Sequence, residues 1–153
     1  MKKTFSVLFI AVLLAAALTA CTGKKVKLSA EDFKTKAESA GLTVTDASDI
    51  YTDSIFTGAQ LAKSSDGWNI VYLSIDSVDD AKEYYYTCKT HMEAQKTGAG
   101  SAQTTDHDDY KMYMQSNGGR FMYCAQIEDT FVYVDEDDTY KDAIKSVLKT
   151  LGY

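Results

Sequence analysis

Apolar positions along the chain fall into helical and alternating rhythms. After Ser29, whose hydroxyl is placed to cap a helix start with Asp32 at the box position and Leu28 with Phe33 as a staple, Phe33, Ala37 and Ala40 follow one helical face. Gly41 supplies a left-handed stop. Ser77-Val78-Asp79-Asp80 repeats that capping grammar and opens the longest predicted helix, to about Lys96, with Val78, Ala81, Tyr85, Cys88 and Met92 as its inner stripe. A third helix is predicted from near Thr139, with Asp142 as box partner and Tyr140, Ala143, Ile144, Val147, Leu148 and Leu151 on its inner face.

Between these helices the rhythm changes to strands. Leu42 to Thr45 alternate briefly. Gly58 to Lys63 and Trp68 to Ile75 flank Ser64-Ser65-Asp66-Gly67, an aspartate-glycine turn. Asp109 to Ser116 and Phe121 to Ile127 flank Asn117-Gly118-Gly119, and Glu128-Asp129-Thr130 turns into Phe131 to Val134. Residues 46 to 57 read as loop with Tyr51, Ile55 and Phe56 packed down, and residues 97 to 108 read as a mobile surface loop. Short hairpins forbid parallel crossovers within each strand group. The predicted fold is therefore α+β, an antiparallel sheet of about five to six strands with three helices packed mainly on one face.

The first 21 residues follow a different logic. Lys2 and Lys3 precede an unbroken apolar or small-residue run from Phe5 to Ala17, which leads to Leu18-Thr19-Ala20-Cys21. A charged start, a short apolar centre and a small-residue cut site make a secretory signal. The run is too short to read comfortably as a permanent spanning helix. The stretch resembles the bacterial lipoprotein class, whose apolar segment ends in a leucine-x-small-cysteine lipobox. That resemblance implies cleavage before Cys21, a diacylglyceryl group on its sulfur, and residence on the extracytoplasmic face of a membrane. Thr22 stands where an aspartate would resemble an inner-membrane retention signal, so an outer membrane is open as a destination if the source has one. The domain expectations follow: residues 1–20 signal, 21–28 lipidated cysteine and short tether, 29–153 one α+β domain.

Charge narrows the partners. Losing Lys2 and Lys3 takes the basic count from 16 to 14 against 22 acidic residues, so the net charge moves from −6 to −8. An acidic body without a basic stripe argues against nucleic acid. Lys24, Lys25 and Lys27 lie in the tether, where they either approach an anionic surface or only keep a linker soluble.

Few residues suggest chemistry. With Cys21 lipidated, Cys88 and Cys124 make one pair in a compartment where disulfides persist, and whether they bond depends on which face Cys124 occupies. Asp106-His107-Asp108-Asp109 and Asp135-Glu136-Asp137-Asp138 offer oxygen ligands but lack a calcium-loop pattern, and reading them as a solvated loop and as charge at a helix start is simpler. Cys88-x-x-His91 falls short of a zinc ligand set. No nucleophile elbow, zinc-protease motif or phosphate loop is present, so no catalytic residues, metal or cofactor are expected. If helices cover one sheet face, Tyr113, Phe131 and Tyr133 would show an aromatic recognition surface on the other; the alternative is that they are core. The expected function is a non-catalytic interaction domain, lipid-anchored at the membrane and binding a protein or envelope component. A ligand- or metal-binding lipoprotein and an inhibitor of an exported enzyme are the alternatives.

Overall fold

The computed structural model describes residues 24–153. The expected leader, lipobox and lipidated Cys21 lie outside the described residues. Within them the order is α1 (Ala30–Ser39), β1 (Thr43–Asp46), β2 (Phe56–Lys63), β3 (Asn69–Ile75), α2 (Val78–Ala94), β4 (Ser101–His107), β5 (Tyr110–Asn117), β6 (Arg120–Ile127), β7 (Thr130–Asp137), a 3-10 turn (Asp138–Tyr140) and α3 (Lys141–Leu151). The fold is α+β, with one open antiparallel sheet of seven strands in the order β1-β2-β3-β7-β6-β5-β4.

Local chemistry explains most of the boundaries. Ser29 accepts from the Asp32 amide and Ser77 from the Asp80 amide, both at 3.1 Å. Each serine hydroxyl also donates to the carboxylate of that same aspartate. Gly118 and Gly119 hold φ at 61° and 81°, the two left-handed positions that a two-residue hairpin of the primed type demands. Gly100 serves a different need: a Cβ there would stand 2.8 Å from the Ser116 carbonyl oxygen, so only glycine lets the chain run that close to β5.

The sheet carries helices on both faces, which corrects the expectation of one covered face. α1 and α3 lie on one side, where Phe33, Ile144, Leu148 and Leu151 join Tyr72, Tyr123, Val132 and Val134 in one core. α2 crosses the other side from β3 to β4, and its Ala81, Tyr85 and Met92 pack with Val71, Leu73, Met122 and Cys124. Each fully buried large side chain of this kind contributes about 1.5–3 kcal/mol. Val78, predicted on the inner stripe, is 40% exposed.

Two further expectations change. Residues 101–107 are a strand, not a loop: β4 pairs along β5 from Ser101↔Ser116 to His107↔Tyr110. They were hard to see because an edge strand exposed on both faces needs no apolar alternation. The third helix is not capped by Thr139. Asp137 accepts from the Thr139 amide at 2.8 Å to start the 3-10 turn, and α3 follows from Lys141 with no side-chain cap.

Candidate functional site

The helices leave the β4 edge of the sheet bare and β5 partly covered. Seven strands at about 4.8 Å spacing are about 29 Å wide, whereas two packed helices cover only about 20 Å. α1 packs on β1 to β3, and Ile144, Leu148 and Leu151 of α3 share a core with β6, β7 and the Tyr110 and Met112 side chains of β5, while β4 at the edge is exposed on both faces.

The result is a groove alongside α3. Its floor on β5 is Tyr110, Met112 and Met114, alternate residues of one face. Directly opposite them on β4 stand His107, Thr105 and Gln103, which continue that face to the sheet edge. Lys141, Lys145 and Lys149, four residues apart and thus in line on the helix, form the wall with Asp142 and Ser146. The middle of the groove holds about 480 Å³, between Met112, Met114, Tyr123, Leu148 and Tyr153. That falls within the ordinary range of small-molecule sites.

The two ends differ. At one, Ser101, Gln103 and Ser116 converge with Lys141 and Lys145, and the Lys141 ammonium stands 6.0 Å from the Phe121 ring centre. Among the described residues, Lys141, Lys145 and Lys149 enter no ion pair. At the other end the tether arrives. Lys25 donates to the Gly152 carbonyl at 3.0 Å and lies 5.2 Å from the Tyr110 ring centre, a cation–π contact. Burial lowers its ammonium pKa. Asp108 and Asp109 line this end too.

The residues singled out in the sequence go elsewhere. Tyr113, Cys124 and Tyr133 stand side by side across β5, β6 and β7 under α2. Tyr113 is 2% exposed and Phe131 fully buried, with Phe131 edge-on to Tyr84 of α2 at 4.9 Å. Tyr133 is half-buried in the same cluster. These aromatics are core, and the proposed recognition surface is withdrawn, because the helix taken to lie with the other two covers this face. Cys124 therefore faces the helix, against Cys88. Both are free thiols, and contact with Cys88 followed by burial pushes the Cys124 pKa up.

The acidic runs have structural partners. Asp106 accepts from the Lys111 ammonium and from the Tyr86 hydroxyl. Asp135 accepts from Arg120 at 2.8 Å, and Glu136 from the Asn69 amide at 3.0 Å. Among the described residues no group of three or more His, Cys, Asp and Glu side chains is placed to hold a metal ion. No helix among them is long and apolar enough to cross a membrane.

The groove leaves little trace in the sequence. Its only sequence signals were the four-residue lysine spacing in α3 and the Tyr110-x-Met112-x-Met114 alternation, and both gain meaning once β4 extends the sheet. Comparison with protein-family models gives no match, and comparison with curated protein sequences gives none either.

Proposed function

We propose that this chain is an exported lipoprotein whose domain is a non-catalytic binding module, held at the extracytoplasmic face of a membrane by acyl groups on Cys21. Its α3–β5 groove takes up a component of the envelope. The observation that carries the binding role is the groove itself: a Tyr/Met floor, buried at Tyr110 and Met112 and half-exposed at Met114, beside a row of lysines in a body that is otherwise acidic. Binding sites are concave and largely apolar with a few polar groups that fix orientation, and this groove has that composition. The sequence at Leu18-Thr19-Ala20-Cys21 supports the anchor, and the tether supports the placement. Cys21 precedes Lys25 by four residues, which span at most about 14 Å, so the Lys25 end of the groove would stay close to the bilayer. Two or more acyl chains suffice for stable anchoring without any apolar protein surface.

A photo-crosslinking side chain at Ser146, on the groove wall, tests the site in intact cells that express the full chain. Thr90, exposed on α2 across the sheet, is the control position. The reading expects a discrete adduct from Ser146 and none from Thr90. No adduct, or equal adducts from both positions, contradicts it.

A further inference from the structure

The groove has a polarity gradient that names a ligand class. At the Lys141 end, Ser101, Gln103 and Ser116 share the floor face with Met114, and the Lys141 and Lys145 side chains line the same hollow, with no ion-pair partner among the described residues. From there an apolar strip runs through Met114, Met112 and Tyr110, with Leu148 and Tyr153 beside it, bounded by Gln103, Thr105 and His107 of β4 on one side and by Asp142, Ser146 and Lys149 of α3 on the other. Lysine and hydroxyl groups suit a carboxylate or phosphate, because the ammonium brings three donors and a charge. The middle suits a chain that asks for no hydrogen bonds.

That last point separates the possible occupants. A peptide would bring a backbone donor and acceptor at every residue, and these must be paired when buried. The floor is the face of a sheet: β5 is paired on both sides by β4 and β6, and the open pairing edge of β4 lies in the plane of the sheet rather than over the floor. An acyl chain carries no such demand, and each methylene placed against the floor is removed from water. Flexible methionine floors also adapt to chains of differing length and unsaturation. Asp108 and Asp109 disfavour an anion at the Lys25 end, which fixes the direction of the ligand.

We infer that the groove binds a single-chain anionic amphiphile, with its headgroup against Lys141 and Lys145 and its acyl chain along Met114, Met112 and Tyr110. This rests on the reading of the groove as the binding site and adds the ligand class. A fatty acid and a lysophospholipid with an acidic headgroup share this chemistry.

The test uses the full chain in phosphatidylcholine nanodiscs and a palmitate carrying a diazirine near the end of its tail, with labelled peptides read by mass spectrometry. The expected result is saturable labelling on β5 and α3, with the half-saturating concentration raised at least tenfold by Lys141→Glu/Lys145→Glu. Both lysines face solvent or lie half-exposed, and an unchanged melting curve verifies the fold of the double variant. Displacement by lysophosphatidylglycerol shows that a phosphate headgroup is accepted, and displacement by unlabelled palmitate alone assigns the carboxylate. Labelling that never saturates, that ignores the charge reversal, or that lysophosphatidylcholine displaces equally well overturns the inference. Saturable labelling failing while Ser146 still crosslinks in cells removes the ligand class and leaves the site.

Discussion

The Lys25 ammonium donates to the carbonyl of Gly152 at 3.0 Å, joining positions 127 residues apart and tying the start of the described chain to its end. The neighbouring tether residues are docked as firmly. Lys27 pairs with Asp129 at 2.7 Å, and the Leu28 carbonyl accepts from the buried Tyr72 hydroxyl at 2.7 Å. The segment read as a short linker is therefore part of the body from Lys25 onward.

Tyr72→Phe tests that docking. Phenylalanine keeps the stack on Phe33, whose ring centre is 4.6 Å away, and removes only the hydroxyl, which donates to Leu28 and accepts a long bond from Ser74 at 3.5 Å. The Leu28 carbonyl then loses a partner in a buried setting, so stability should fall by about 1–2 kcal/mol. Urea denaturation reads this directly, and a variant as stable as the parent would mean that the tether is not held there.

Tyr85→Phe should do the opposite. The Tyr85 side chain is fully buried, and its hydroxyl finds no hydrogen-bond partner among the described residues. Removing an unsatisfied buried hydroxyl relieves a desolvation cost of about 1–3 kcal/mol. The expected melting temperature is equal to or above the parent's, and a clear loss of stability would show that the hydroxyl has a partner.

Triple substitution of Tyr113, Phe131 and Tyr133 to serine should abolish the cooperative fold. Phe131 alone, cut to alanine, is expected to cost about 3–5 kcal/mol, a large share of a total near 5–15 kcal/mol. A triple variant with a parent-like circular dichroism spectrum and melting curve would place these rings on the surface after all.

That reversal shows where the sequence was readable. Capping serines Ser29 and Ser77 and the Gly118-Gly119 turn encode their structure within a few residues, so α1, α2 and the β5–β6 hairpin were legible. Which face of the sheet α2 covers is a long-range matter, decided only when its Ala81, Tyr85 and Met92 meet both strand groups. Val71, Leu73 and Ile75 alternate with Ile70 and Tyr72, so apolar residues stand on both sides of β3 and point to two covered faces. β4 stayed hidden because Ser101 to His107 carry almost no hydrophobic signal, and the groove stayed hidden with it.

The thiol pair has a distinct signature. Cys88 is half-buried, whereas Cys124 is fully buried with its pKa pushed up by its neighbour and by burial, so in reduced protein Cys88 should alkylate far faster. An extracytoplasmic disulfide oxidant would join the two sulfurs, taking two protons and two electrons and itself becoming a dithiol. Closing that loop should add about 3–4 kcal/mol. Mass spectrometry after alkylation, without and with reductant, distinguishes the states. Equal reactivity of both thiols in the folded, reduced protein would contradict the packing of Cys124.

Asp106 sets the acid behaviour of the β4 edge. Lys111 holds its carboxyl below the ordinary value of 3.8. A depressed folded value means stabilisation that is full above the usual carboxylate range and lost as pH falls through the folded value. Asp106 is half-exposed, so the screened contribution is about 1 kcal/mol. Asp106→Asn should show that loss near neutral pH and converge with the parent in strong acid. Parallel stability profiles across the range would contradict this linkage.

The proposed lipid anchor is tested most directly by the N-terminal residue of the purified protein. Intact-mass measurement of protein extracted from membranes should give a chain that begins at Cys21 and carries the mass of its acyl groups. A chain that still begins at Met1, with an unmodified thiol at Cys21 and recovered from the soluble fraction, would contradict it.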